Sequence, residues 1–149
     1  MTNYRKILAV LDLSADSLAV AGRARALADA TPGATLTLLH VVEYVPVEPI
    51  GDTLMPAVRI ESELVERARE RIAAVAAKVG GDPSCRVEVG NVKTEILRHA
   101  RDGAFDLLVI GSHERHGLSI LVNLTEDTVL HGAPCDVLAV RLAPPAKAS

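Results

Sequence analysis

The 149-residue sequence predicts a single-domain α/β fold: an open, parallel, five-stranded sheet in the order 3-2-1-4-5, with helices on both faces. Three observations carry this expectation. Strand-like and helix-like segments alternate as β-α-β-α-β-α-β-α-β, and such alternation builds a parallel sheet covered by its own crossovers. The apolar half of the chain has one Phe, two Tyr and no Trp, so the core must be Ala, Val, Leu and Ile. That set suits strands buried on both faces by Ala-rich helices. The runs Lys6 to Asp12 and Phe105 to Gly111 are the most continuously apolar and belong at the centre. Right-handed crossovers then prune the topologies to the stated order.

Each element has its own signal. "KILAVLD" is the first strand. Ser14 is expected to cap the next helix, with Asp16 in its first turn. "SLAVAGRARALADA" forms that helix, and "TPG" (Thr31 to Gly33) stops it. "TLTLLHVVE" (Thr35 to Glu43), rich in β-branched residues, is the second strand. The stretch Tyr44 to Pro56 holds Pro46, Pro49, Pro56 and a glycine, so it is expected to be irregular and either functional, as a lid over the site, or mobile. The clearest helix runs from Ala57 to Gly81. Ile60, Leu64, Ala68, Ile72, Val75 and Val79 recur along it at helical spacing, and Val65 and Ala76 widen the stripe. Glu63 and Arg67 stand four apart in the favourable order. Gly80 and Gly81 end the helix. "CRVEVG" (Cys85 to Gly90) alternates as an outer strand does. "KTEILRHARDG" follows as a helix with Ile96, Leu97 and Ala100 inward. After the fourth strand, "LTEDTVLHG" (Leu124 to Gly132) reads as a helix and "DVLAVRL" (Asp136 to Leu142) as the last strand. Residues 143–149 are expected to form a flexible tail, and 1–149 a single domain.

Composition excludes several function classes. The net charge is -3, and no Lys/Arg run with interleaved aromatics suggests a nucleic-acid footprint. The apolar run near the N-terminus is too short for a signal peptide, and no segment approaches the roughly 20 apolar residues of a membrane helix. A cytoplasmic protein without membrane insertion is expected. Cys85 and Cys135 form no CxxC motif and read as small buried or half-buried thiols. His113 and His116 are three apart, but no second ligand cluster accompanies them, so no metal site is assigned. There is no GxSxG, HExxH or P-loop motif and no catalytic residue is assigned. Ser14 reads as a helix cap and His40 as a core or strand-end histidine.

Winding reverses between the first and fourth strands, and ligands of such sheets bind beside that crevice at the strands' carboxyl ends. Asp12 and Gly111 both fall there. Gly111 opens the loop "GSHERHG" (Gly111 to Gly117), where a glycine after a buried strand can let the backbone approach a phosphate.

With these segments placed, the chain resembles a universal stress protein over nearly its whole length. The resemblance rests jointly on "ILAVLDLSADS", "LTLLHVVE", "FDLLVIGSH" and "VLHGAPCDVLAVR". It implies the Rossmann-like, adenine nucleotide alpha hydrolase-like sheet above, a cytoplasmic stress role and a homodimer through the last strand, with protein partners possible. One branch of the family binds ATP through G-x2-G-x9-G-[ST]; the other lacks this motif and shows no nucleotide binding. Gly111 matches the first glycine, with Ser112 beside it. Glu114 stands where the second belongs. Asn123 stands near the third and tolerates positive φ better than most residues. Thr125 offers the hydroxyl, and Gly117 some of the lost flexibility. The resemblance also carries over Asp12, as the acid near adenine, and Val41, as the backbone contact to adenine. The implied ligand is ATP or another adenine nucleotide with Mg²⁺, and at most slow hydrolysis.

Glu114 opposes this. A carboxylate about 4 Å from a phosphate charge costs ~1 kcal/mol in water-like dielectric and ~4 kcal/mol at an effective constant of 20. Arg115, His113 and His116 flank it and can offset the charge. The alternative is that "SHERH" is a polar surface turn and the chain is a dimeric protein-interaction module without nucleotide. In that case Glu114→Gly is expected to restore binding and Gly111→Ala to leave it unchanged.

The last strand, with Val137, Leu138, Ala139, Val140, Arg141 and Leu142, presents an apolar edge that invites pairing with a second copy. Arg141→Pro is expected to weaken that dimer; an unchanged dimer mass in sedimentation would overturn the assignment.

Overall fold

The computed structural model describes residues 3–43, 54–113 and 124–142. Five strands form one parallel sheet: β1 (Lys6–Val10), β2 (Thr35–Glu43), β3 (Ser84–Gly90), β4 (Leu107–His113) and β5 (Asp136–Leu142). Their order is β3-β2-β1-β4-β5, as expected from the sequence. Helices α1 (Ser17–Asp29), α2 (Leu54–Val79), α3 (Val92–Asp102) and α4 (Leu124–Gly132) connect them.

Central position explains the composition of β1. Successive side chains of a strand point to opposite faces. Ile7 and Ala9 pack with α1 and α2 through Val20, Ala21, Ala24, Ala68 and Ile72. Leu8 packs with α3 and α4 through Ile96, Ala100 and Val129. Both faces are thus sealed, and Ile7, Leu8 and Ala9 are each 0% exposed. β4 does the same with Leu108 and Val109. At the amino end of the sheet, the Asp106 carboxylate accepts from the backbone N–H of Arg5 (2.9 Å) and Lys6 (3.1 Å). This ties the start of β1 to that of β4.

Several boundaries differ from the sequence reading. β1 ends at Val10, so Asp12 lies in the turn beyond it. The N-cap of α1 is Asp16, whose side chain makes no capping bond. Ser14 instead accepts from the Asp16 N–H at 3.2 Å, in a turn preceding the helix. α2 begins at Leu54, three residues earlier than expected, and takes in Pro56. A proline is tolerated in a first turn because the N–H groups there have no intrahelical partner. Tyr44 to Thr53, the remainder of the expected irregular stretch, lies outside the described residues, as does 143–149. α3 starts one residue early because Asn91 caps it, accepting from the Thr94 N–H at 3.1 Å. β4 continues through Ser112 and His113, so Gly111 sits inside the strand.

The apolar stripe of α2 is only half used. Ala68 and Ile72 are buried, and Val75, Ala76 and Val79 pack against the core. Ile60 and Leu64 are 58% and 45% exposed. Charged residues hold the outer face, where Arg69 pairs with Glu66 at 3.3 Å. Gly80 and Gly81, at φ +77° and +74°, end the helix as expected.

This division of α2 sets its energetics. Ile72→Ala is expected to lower unfolding stability by about 2–5 kcal/mol, as for a fully buried aliphatic. Ile60→Ala should stay within about 0.5 kcal/mol. Urea denaturation of the two variants measures the contrast.

Candidate functional site

From β1 the chain turns into α1 on one face of the sheet; α3 and α4 cover the other. Between them, at the carboxyl ends of β1 and β4, a crevice of about 250 Å³ opens. Its walls are aliphatic. Val10 and Leu11 come from the end of β1, Ile110 from β4, and Val92, Ile96 and Val129 from α3 and α4. Its polar groups are Asp12, Asp16, Ser17 and His40.

Those groups are held by a dense set of bonds around residues 11–13. The Leu11 N–H donates to the Leu39 carbonyl at 2.8 Å. The Leu11 carbonyl accepts from His40 Nδ1 at 2.7 Å. A carbonyl can only accept, so Nδ1 carries a proton. Asp12 Oδ1 accepts both the Ser14 N–H (2.9 Å) and the Ser17 hydroxyl (3.2 Å). Leu13 adopts φ +61° with its side chain 5% exposed, an unfavourable backbone for a residue with a Cβ. Its carbonyl accepts from the Arg71 guanidinium of α2. Burial of the Leu13 side chain and the Arg71 bond offset the backbone strain.

The structure brings Asp12, Val41 and Gly111 together around the crevice. Ser112 follows in β4, paired in register with Arg141. Thr125 falls in the first turn of α4. Glu114, Arg115, Gly117 and Asn123 lie outside the described residues, as does His116. Ser17 escaped the sequence reading. Its signal is a hydroxyl five residues beyond the acid, at the first position of an Ala-rich helix. His40 also lines the crevice, beyond the strand-end role assigned to it.

Gly111 has a reason of its own to be glycine. A Cβ there would stand 2.9 Å from Leu142 Cδ1 and 3.2 Å from Val20 Cγ2. The absent side chain lets α1 and β5 close over β4, whatever binds above.

Along β5, Val140 and Leu142 are buried in the protomer's own core, and Ala139 and Arg141 are exposed. β5 is an edge strand, as is β3. Among the described residues β5 ends the sheet, with Ala139 and Arg141 outward and Val140 and Leu142 committed to the core.

Glu88, Glu95 and His99 were not singled out from sequence, because β3 and α3 meet only in the fold. Their ligand atoms lie within 4.8 Å of one another. The guanidinium of Arg98 bonds the Glu95 carboxylate and stands 4.0 Å from Glu88 and 3.4 Å from His99 Nε2. The cluster therefore holds a cation of its own. Cys85 is exposed, not buried, and Cys135 is half-buried. Desolvation pushes both thiols up, reinforced by Asp82 at Cys85 and by Asp136 and Asp106 at Cys135. A raised thiol stays protonated at neutral pH and is a poor nucleophile.

No helix among the described residues is long and apolar enough to cross a membrane. A model of the universal stress protein family matches residues 3–141. Universal stress protein A homolog 2 of Coxiella burnetii is 38% identical over 144 residues, 95% of this chain and 98% of that protein. Among solved structures, universal stress protein UspA from Lactobacillus plantarum matches with a TM-score of 0.73 at 23% identity, over 95% of this chain and 100% of that one. A universal stress protein in complex with cAMP matches with a TM-score of 0.62 at 24% identity, over 93% and 98% of the two chains.

The packing of Gly111 gives a direct test. Gly111→Ala is expected to cost about 1 kcal/mol or more in unfolding stability through overpacking. The cost should shrink in a Leu142→Val background, giving a measurable coupling in a double-mutant cycle.

Proposed function

The chain belongs to the universal stress protein family, and we propose that it acts as a cytoplasmic, homodimeric stress-response protein whose crevice takes an adenine nucleotide. The observation that carries this reading is the crevice itself. It lies at the point where the winding of the sheet reverses, and Asp12 from the turn after β1, Val41 from β2 and Gly111 from β4 converge on it. Its aliphatic walls suit a purine base and sugar, and its few polar groups can orient them. At about 250 Å³ it sits near the lower edge of small-molecule sites, which run from about 300 Å³ upward. A base and ribose occupy such a volume, and the phosphates then extend past Gly111 and Ser112. The cAMP complex of a family member supports the ligand class.

In this reading Asp12 and the Val41 backbone engage the base. Gly111, Ser112, Gly117, Asn123 and Thr125 attend the phosphates, with Arg115 offsetting Glu114 and Mg²⁺ accompanying the polyphosphate. Bound nucleotide would set the surface offered to a protein partner. The dimer would form along β5, an edge strand of the described sheet, in keeping with a family whose members are often dimeric.

A second reading, a dimeric interaction module with an empty crevice, has one observation in its favour. Gly111 is accounted for by Val20 and Leu142, so the glycine is not by itself evidence of a phosphate cradle.

Calorimetric titration of nucleotide-stripped protein with ATP and Mg²⁺ separates the two. Saturable heat in the micromolar range is expected, weakened about tenfold or more by Val92→Trp, which fills the crevice from a half-buried position. Absence of heat up to millimolar ATP would support the interaction module.

A further inference from the structure

The geometry of β3 and α3 points to a metal site apart from the crevice: Glu88, Glu95 and His99 bind one divalent metal ion of the Zn²⁺ class, and Arg98 fills the position of that ion until it arrives. The inference does not depend on the nucleotide reading.

Local periods bring the three ligands to one place. Glu88 and Gly90 stand two apart in β3 and so share a face. Glu95 and His99 stand four apart in α3 and share a face as well. Gly90, at φ +153°, lets the two faces meet. A Cβ there would lie 3.2 Å from Glu95 Cγ and 3.3 Å from Glu95 Oε1, so its absence admits the carboxylate against the end of β3. One oxygen from each carboxylate and one imidazole nitrogen then lie within 4.8 Å of one another. His99 Nε2 stands 3.3 Å from Glu88 Oε1.

A single atom marks the focus of the three. Arg98 Nη2 bonds Glu95 Oε2, and it stands 3.4 Å from His99 Nε2 and 4.0 Å from Glu88 Oε2. A guanidinium only donates, so the imidazole turns a lone pair toward it. An imidazole and two carboxylates thus already share one cation. The single charge of Arg98 leaves the two carboxylates with an excess negative charge, which a divalent ion cancels. Arg98 can give way, because its side chain is 42% exposed, whereas those of Glu95 and His99 are 16% and 13% exposed.

The donor set decides the ion. Zn²⁺ takes imidazole nitrogen and carboxylate oxygen at about 2.0–2.2 Å, and three protein ligands leave it a position for water. Mg²⁺ and Ca²⁺ prefer oxygen alone and more of it. The bound ion would join α3 to β3, and Val92 and Ile96 of the same helix line the crevice.

The test titrates metal-stripped, tag-free protein with Zn²⁺ against a chromophoric chelator, and records the absorption spectrum with Co²⁺ in its place. The natural chain is expected to bind one equivalent of Zn²⁺ saturably, and its Co²⁺ spectrum to lack the thiolate charge-transfer band that Cys85 or Cys135 would give. His99→Gln and Glu88→Gln should each weaken binding about tenfold or more. Arg98→Gln removes the competing cation and should tighten binding about tenfold or more, a gain that the loss of a purely structural ion pair does not give. Melting temperatures are measured alongside, and where His99→Gln does not fold Glu88→Gln carries the comparison. Absence of saturable Zn²⁺ binding, an affinity unchanged in the folded ligand variants, a thiolate band, or an Arg98→Gln variant that binds no tighter would each overturn the assignment.

Discussion

Residues 11 to 13 leave the most buried strand of the sheet, and the way they are held decides what the crevice can be. Each of the three is bonded to a different part of the molecule. Leu11 is bonded to the middle of β2, Asp12 to the first turn of α1, and Leu13 to α2. Leu13 accepts a backbone conformation that a residue with a Cβ rarely adopts. That conformation turns the chain sharply, so that Asp12 lines the crevice while the side chains of Leu11 and Leu13 return to the core. Loosening any one of these anchors would let the rim relax toward solvent.

The same crevice shows how packing and function compete for one residue. Gly111 reads as a ligand glycine in sequence, but Val20 and Leu142 already require the missing Cβ. A parallel sheet of aliphatic residues must admit α1 close to β4, and a glycine within β4 gives that room. Phosphate approach and helix approach make the same demand on the side chain. The crevice also carries two acids, Asp12 and Asp16, near the start of α1.

Surface features divide by element. The first half of α2 carries Ile60 and Leu64 past the edge of the core, where they remain exposed. α3 is tied to β3 by the Glu88, Glu95, Arg98 and His99 network, in which a guanidinium serves two carboxylates. β5 spends Val140 and Leu142 inward.

How much of this was legible in the sequence depends on the range of the interaction involved. Element type and order were legible because they follow from local periodicity. The strict alternation of segments and the apolar runs at Lys6 to Asp12 and Phe105 to Gly111 are enough to build the 3-2-1-4-5 sheet. They also place Asp12, Val41 and Gly111 at its carboxyl edge. Boundaries were less legible. Pro56 looks like a helix breaker until the first-turn position removes its penalty, and the apolar period of α2 runs on past the surface it can cover. The contacts that define the site were not legible at all. The Ser17 to Asp12 bond, the His40 to Leu11 bond, the reach of Arg71 to Leu13 and the close packing of Val20 and Leu142 at Gly111 each join residues by three-dimensional approach. Sequence alone determined which residues stand at the end of the sheet, because strand and helix periods are properties of the chain. Only the tertiary structure decided how those residues are held and which contacts they make, because bonds between separate elements form when packing brings them within reach.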